Sequence, residues 1–266
     1  MGLIQEDLGR EYFSRPATVS YDRSMLLQSH KDSFVHLHLH TQYSLLDGAI
    51  RVKDLVKKAS EFGMPAVAQT DHGNMFGAID FYCKAKEAGI KPILGSEIYF
   101  TPGSRTDRRP AKRNKKVDSQ DEMESRYHIH HLILLCKNKT GYENLCRLLS
   151  KAYMEGFYYK PRADLALLRE CREGLIATTA CLKGEVGYNF FSGRDERAWS
   201  AAEKLLEIFQ DDFYLEIQEN GLEEQKTANE KIISFAQKKN VPLVATNDCH
   251  YLEQDDASAQ EVLLCV

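Results

Sequence analysis

The sequence predicts an α/β fold, a barrel of seven strand and helix units, one short of the common eight. Two observations carry this expectation. Seven strand-like runs are separated along most of the chain by patterns of helical period, and strands joined through helices return to the same end of a sheet, so they are expected to run parallel. The length of 266 residues also suits one large domain, since such barrels commonly take roughly 200–250 residues. A doubly wound open sheet is the alternative. In both architectures functional groups collect at the carboxyl ends of the strands.

Taken in order, residues 1–33 mix charges with short apolar clusters around Pro16 and hold no sustained period, which marks an arm outside the domain, expected to be disordered. The domain spans 34–266. Its first strand, Phe34 to Thr41, alternates Val35, Leu37 and Leu39 with His36, His38 and His40. In 51–62, Val52, Leu55, Val56, Ala59 and Phe62 recur at helical spacing before the stop at Gly63. Ala66 to Thr70 is a short buried strand, and 75–89 a helix carrying Phe76, Ile79 and Cys83 and closed by Gly89. Lys91 to Phe100 is a third strand, followed by a basic loop over 103–126. Further strands are expected at 132–136, 175–180, 213–217 and 241–246, and helices at 141–153, 163–171, 197–209 and 222–239. Residues 255–266 read as a last helix with Ala259, Val262, Leu263 and Val266 on one stripe and no stop signal, so a truncated chain with a missing partner surface is expected.

Composition narrows the function classes. Hydrophobic residues at 43% and charged residues at 28% are ordinary for a globular chain, and no apolar run approaches the length needed to span a membrane. The first residues lack an apolar signal core, and the seven cysteines are scattered without a CxxC pair, which fits the cytoplasm and indicates neither a disulfide framework nor a zinc ribbon. A net charge of −4 argues against a uniformly basic nucleic-acid binder but leaves local patches open.

The chemistry begins in the first strand. A lone core histidine is ordinarily a satisfied hydrogen-bonding group, but three imidazoles in one row point to metal, and strand geometry leaves open which two bind. The other strand ends carry Thr70-Asp-His-Gly-Asn74, Glu97, Cys181 and Asn247-Asp-Cys-His-Tyr251, while Asp47 lies in a loop at the same end. Asp71 beside Gly73 also fits a simple turn or helix cap. Imidazole, carboxylate and one thiolate together suit zinc, manganese or iron better than calcium or magnesium.

These motifs, with Leu45-Leu-Asp-Gly48, Gly89-Ile-Lys-Pro-Ile-Leu-Gly-Ser-Glu97 and Glu155-Gly-Phe-Tyr158, resemble the PHP (polymerase and histidinol phosphatase) family. More narrowly they resemble the amino-terminal PHP domains of bacterial DNA polymerase III α subunits, the C-family replicative polymerases, from residue 34 onward. The resemblance implies a distorted seven-stranded barrel holding two to three divalent transition-metal ions (Zn, Mn or Fe). The implied ligands are His38, His40, Asp47, His72, Glu97, His131, Cys181, Asp248 and His250. One ion would fall to His38, His40, Glu97 and Asp248, a second to Glu97, His131 and Cys181, and a third to Asp47, His72 and His250. His36, His128 and His130 are left out, and His131 opens its apolar run instead of closing it. Asp248, His250, Glu97 and His72 are the residues expected to carry catalysis.

Closely spaced divalent ions favour in-line phosphodiester hydrolysis, by activating water and stabilising charge on phosphorus and the leaving oxygen. The sequence holds no GxSxG elbow and no P-loop. The run Arg105 to Lys116 sets Arg105, Arg108, Arg109, Lys112, Arg113, Lys115 and Lys116 against the single Asp107. It reads as a solvated loop or, beside the metal site, as a hold on DNA phosphates. Tyr99 and Phe100 next to it read as strand core, with base stacking as the alternative. The expected activity is a 3′–5′ exonuclease acting on a primer 3′ end or single strand, within the polymerase α subunit and replisome. A metal-bound structural platform and a small-molecule phosphatase are the rivals. No segment resembles the catalytic carboxylates of a polymerase, so nucleotide incorporation by this chain alone is not expected.

Overall fold

Alternation of inward and outward side chains along its strands organises the fold. The computed structural model describes residues 34–108 and 128–266, so the arm at 1–33 and most of the basic run lie outside the described residues. In chain order the elements are α1 (Val52–Glu61), β1 (Ala66–Gln69), α2 (Ala78–Glu87), β2 (Lys91–Phe100), β3 (His130–Cys136), α3 (Lys139–Met154), β4 (Phe157–Tyr158) and β5 (Lys160–Ala163). They continue with α4 (Leu165–Cys171), β6 (Leu175–Thr178), α5 (Glu185–Phe191), α6 (Asp195–Phe209), β7 (Phe213–Gln218), α7 (Glu223–Lys239), β8 (Leu243–Thr246) and α8 (Ala257–Leu263).

The strands curl into a distorted barrel. β1 pairs with β2, β2 with β3, and the sheet continues through β6, β7 and β8. The His-rich first segment closes the gap. It receives backbone hydrogen bonds from Ala68 at His36 and from Thr70 at Leu39, and on its other side His40 N–H donates to Cys249 O just past β8. It is the seventh stave but not a regular strand, because side chains replace ladder partners: Leu39 N–H donates to Thr70 Oγ1 and Thr41 N–H to Asp71 Oδ1.

All-parallel pairing is not what the structure has. β3 runs antiparallel to both β2 and β6, whereas β1 with β2, β6 with β7 and β7 with β8 are parallel. The chain enters β3 at the end of the sheet where β2 leaves it, so the two strands run in opposite directions. The β4–β5 hairpin and α5 were not anticipated. The hairpin fastens onto the end of β2, with Tyr99 opposite Arg162 and Phe100 opposite Ala163.

Ile98, Phe100, Leu132 and Leu134 face the helices and pack with Leu145, Leu148, Phe213 and Phe235 in the largest apolar cluster. A smaller cluster of Leu37, Ala66, Ala68, Ile93, Ile133, Leu135, Ile176 and Tyr214 fills the interior. In α1, Val52, Leu55, Val56 and Ala59 are buried as expected, but Phe62 is exposed. The face of α2 differs from the expected one: Ala78, Phe81 and Ala85 are buried, whereas Phe76, Ile79 and Cys83 are exposed. Both sets share the same helical spacing, so periodicity fitted either. α8 has no buried residue, and Val262 and Val266 are exposed. Among the described residues no helix is long and apolar enough to cross a membrane.

Candidate metal centre

One buried carboxylate gathers four imidazoles. Glu97 points inward from β2 and is 1% exposed. Its Oε2 lies 2.9 Å from His72 Nδ1, 3.1 Å from His40 Nε2 and 3.5 Å from His38 Nε2, and its Oε1 lies 2.8 Å from His131 Nδ1. Cys181 Sγ is 4.0 Å from the same Oε1. Asp248 Oδ1 stands 3.0 Å from His38 Nε2 and 3.3 Å from His40 Nε2. Asp47 Oδ2 is 2.9 Å from His72 Nε2 and 3.8 Å from His250 Nε2. All nine residues singled out in the sequence thus meet at one end of the barrel.

Strand direction explains how His131 reaches this end. Because β3 runs against its neighbours, its first residues lie level with the last residues of β2, and His131 sits opposite Tyr99. Of the remaining histidines, His128 stacks on Tyr188 at 4.6 Å, His130 faces Lys183 O at 3.3 Å, and His36 faces Cys249 Sγ at 3.4 Å. None joins the cluster.

Two residues fix the tautomers, and sequence reasoning missed both. Glu216, on the inward face of β7, accepts hydrogen bonds from His38 Nδ1 at 2.7 Å, from Gln218 Nε2 at 3.1 Å, and from the Thr178 and Thr246 hydroxyls. Four donors on one carboxylate leave it acceptor-only, so His38 carries its proton on Nδ1 and directs the Nε2 lone pair at Glu97 and Asp248. Ser44 works likewise. Its hydroxyl donates to Asp71 Oδ1 at 3.1 Å and accepts from His40 Nδ1 at 3.0 Å, which directs His40 Nε2 to the same two carboxylates. The available signal was Glu216 within Phe213-Tyr-Leu-Glu-Ile-Gln218, a charge at an inward position of a strand that is otherwise core.

Asp71 is no member of the cluster but holds its loop. It accepts from Thr41 N–H, the Thr41 and Ser44 hydroxyls and Gln69 Nε2. That loop has no room for a side chain at Gly48, where a Cβ would lie 1.9 Å from Thr41 O. Asp248 adopts a left-handed backbone, φ 51°, which aspartate tolerates better than most residues and which aims its carboxylate inward.

The electrostatics are those of a cation site. Among the described residues, His38 Nε2, His40 Nε2, His72 Nδ1, Asp47 Oδ1 and Asp248 Oδ1 are buried without a directed hydrogen bond. Buried polar atoms are ordinarily satisfied, and opposed acceptors repel unless a cation or proton lies between them. Burial works against charge on His38, yet Asp248, Glu216 and Glu97 raise its pKa well above the ordinary imidazole value. Burial is likewise outweighed at His72, where Glu97 and Asp47 raise the pKa to about 9. Burial pushes the Glu97 and Asp248 carboxyls up, but the neighbouring imidazoles hold both well below the usual range. At Cys181 burial, then Glu97 and Asp248, push the thiol up, so a cation is needed to ionise it.

The residues present fit divalent metal. Donor atoms lie within 4.8 Å of one another in three sets: His38, His40 and Glu97; His72, Glu97 and His131; and His40, His72 and His250. His72 therefore stands nearer Glu97 and His131 than the resemblance implied, and Cys181 lies at the edge. Of the basic run, Arg105 is tied to Glu155 and Asp164, and Arg108 lies over the Tyr158 ring at 5.6 Å. Arg109, Lys112, Arg113, Lys115 and Lys116 fall outside the described residues.

A barrel with this cluster at one end defines a class. The chain belongs to the PHP domain family, whose profile matches residues 36–220. Its relatives are more particular. It is 51% identical over 233 residues to DNA polymerase III subunit alpha of Aquifex aeolicus, covering 88% of this chain and 20% of that protein. The corresponding subunit of Thermus aquaticus is 48% identical over 238 residues, covering 89% and 19%. The chain thus spans about a fifth of the length of these curated relatives. Among solved structures, a candidate metal-dependent phosphoesterase from Bifidobacterium adolescentis aligns with a TM-score of 0.49 at 14% identity, covering 89% of this chain and 98% of that one.

Proposed function

We propose that the chain is a metal-dependent phosphodiesterase, the 3′–5′ exonuclease of a replicative polymerase α subunit, acting on a primer 3′ end or single DNA strand. One observation carries this reading: His38 Nε2 and His40 Nε2, both buried, face the carboxylates of Glu97 and Asp248 at 3.0–3.5 Å. His38, His40, Glu97 and Asp248 would hold one ion, Glu97, His131 and Cys181 a second, and Asp47, His72 and His250 a third, as zinc, manganese or iron. Such ions supply Lewis acidity for attack of water on phosphorus and for the charge on the leaving oxygen. The chain's own part is orientation. Glu216 and Ser44 keep His38 and His40 in the tautomer that presents Nε2, and Asp71 keeps the 41–48 loop against the barrel. DNA as substrate and the rest of the α subunit and replisome as partners are part of this proposal, supported by the polymerase relatives.

The test is digestion of a mispaired primer on a template by the metal-loaded 266-residue chain, with and without chelator, beside metal analysis. Chelator-sensitive release of nucleotides from the 3′ end is the expected result. Metal binding that raises the melting temperature without hydrolysis would instead mark a structural platform. Cleavage of a phosphomonoester but not of DNA would mark a small-molecule phosphatase.

A further inference from the structure

The β4–β5 hairpin presents aromatic rings that the metal centre does not use. Tyr159 is 80% exposed and Phe157 51%, and Tyr153 of α3, 42% exposed, stacks on Phe157 with ring centroids 6.2 Å apart. Tyr159 also holds a left-handed backbone, φ 61°. For a bulky residue that conformation is unfavourable, and such outliers concentrate at ligand sites. Here the turn directs the ring into solvent and not into the core.

The hairpin is fastened to the strand that bears Glu97. β5 pairs with Tyr99 and Phe100, the next inward position and the last residue of β2. The Tyr99 ring lies 5.9 Å from that of His72 and 5.6 Å from that of His131, and Lys160 Nζ sits 5.1 Å above the same ring. A line of side chains therefore runs from the metal centre through Tyr99 and Lys160 to the hairpin tip. Cations lie over the neighbouring ring: Arg108 and Arg162 are 5.6 and 5.3 Å from the centroid of Tyr158, which packs edge-on against Tyr159 with centroids 4.7 Å apart. Arg162 is buried and donates to the carbonyls of Arg105 and Asp107, which anchors the start of the basic run beside the hairpin. Glu155, the nearby carboxylate in sequence, is neutralised by Arg105. Exposed π-faces with cations alongside match the chemistry of an unpaired nucleic-acid strand, whose bases stack and whose phosphates are anionic.

We propose that Phe157 and Tyr159 form a stacking platform for the unpaired bases of a single-stranded DNA end, with Lys160 and Arg108 beside its phosphates, so that the scissile bond reaches the metal centre. This deepens the nuclease reading and rests on it for the identity of the strand. The platform is selective for unpaired bases, because a base within a duplex offers no free face to the rings.

The experiment is fluorescence anisotropy of the full chain in chelator, so that nothing is digested. The probes are a short oligothymidylate and an abasic oligomer of the same length. Tyr159→Ala and Phe157→Ala should each weaken oligothymidylate binding about 5-fold or more, leave the abasic oligomer unchanged, and leave metal content after reloading at the wild-type level. Tyr159→Trp should restore binding. Equal losses on both probes, or none, would overturn the platform. Sedimentation showing a dimer that Tyr159→Ala abolishes would reassign the rings to a protein contact and also overturn it. Base-selective binding without hydrolysis would remove the nuclease reading and leave the platform standing, whereas hydrolysis without base-selective binding would do the reverse.

Discussion

Replacing Glu216 with glutamine takes a charge out of the barrel interior while keeping its shape, and the consequence falls on an atom that Glu216 does not touch, His38 Nε2. Four donors converge on this carboxylate, His38 Nδ1 at 2.7 Å among them. An amide keeps one acceptor oxygen and turns its other end into a donor, which the Thr178 or Thr246 hydroxyl can meet by rotating. His38 therefore keeps a partner but loses the charge that makes its imidazole basic. Partners of metal-binding histidines commonly contribute about 10–100-fold in affinity. With Glu216 only 1% exposed, the loss is expected in the upper half of that range, about 30–100-fold or roughly 2–2.7 kcal/mol. The assay is competition between the protein and a chromogenic chelator for zinc, with the melting temperature in excess chelator as control for the fold. Affinity within twofold of wild type, at an unchanged melting temperature, would refute the argument that the Glu216 charge strengthens His38 as a ligand.

The metal-free protein should have a defined pH profile. His72 rises from 6.5 to about 9 on folding, so its contribution to stability is full below pH 6.5 and is lost as pH climbs through about 9. Glu97 and Asp248 are depressed from 4.5 and 3.8, so theirs is present above those values and lost as pH falls through the lowered ones. A melting temperature in chelator that keeps rising from pH 6.5 to 9 would contradict this. Asp248→Asn should abolish hydrolysis and keep the fold, since asparagine also tolerates a left-handed backbone; unchanged single-turnover digestion would exclude the assigned site. Replacing Arg108, Arg109, Lys112 and Arg113 with serine should lower the salt slope of single-strand binding by about 3. Identical affinity at every salt concentration would return the run to a solvated loop. Arg105 is omitted because it ties Glu155 to Asp164.

What the sequence exposed and what it hid follow from range. β2 was legible to its ends, because a continuous run bounded by Gly89 and Pro102 is local information. The inward row of imidazoles was legible for the same reason. The direction of β3 was not, since it depends on which strand it pairs with and from which end it enters the sheet. Glu216 was hidden because a lone glutamate in a strand acquires meaning only when His38, 178 residues away, is brought beside it. The face of α2 failed on a tie between two stripes that only the neighbouring helix and sheet could break. The Tyr158-Tyr159-Lys160 turn lacked the glycine or asparagine that ordinarily signals a tight hairpin.

The closure of the barrel bears on time as well as on energy. Its first and last staves meet where Cys249 faces His36, 213 positions earlier, and a contact of that separation is among the slower ones for a chain to make. His38 and His40 stand on one side of this join, and Asp248 and His250 on the other. Ions held across it would add interactions absent while the join is still open, and such interactions slow unfolding without hastening folding. Occupancy of the site would then set how long a folded molecule persists between openings, and a chelator would shorten that lifetime before any change in refolding rate could be measured.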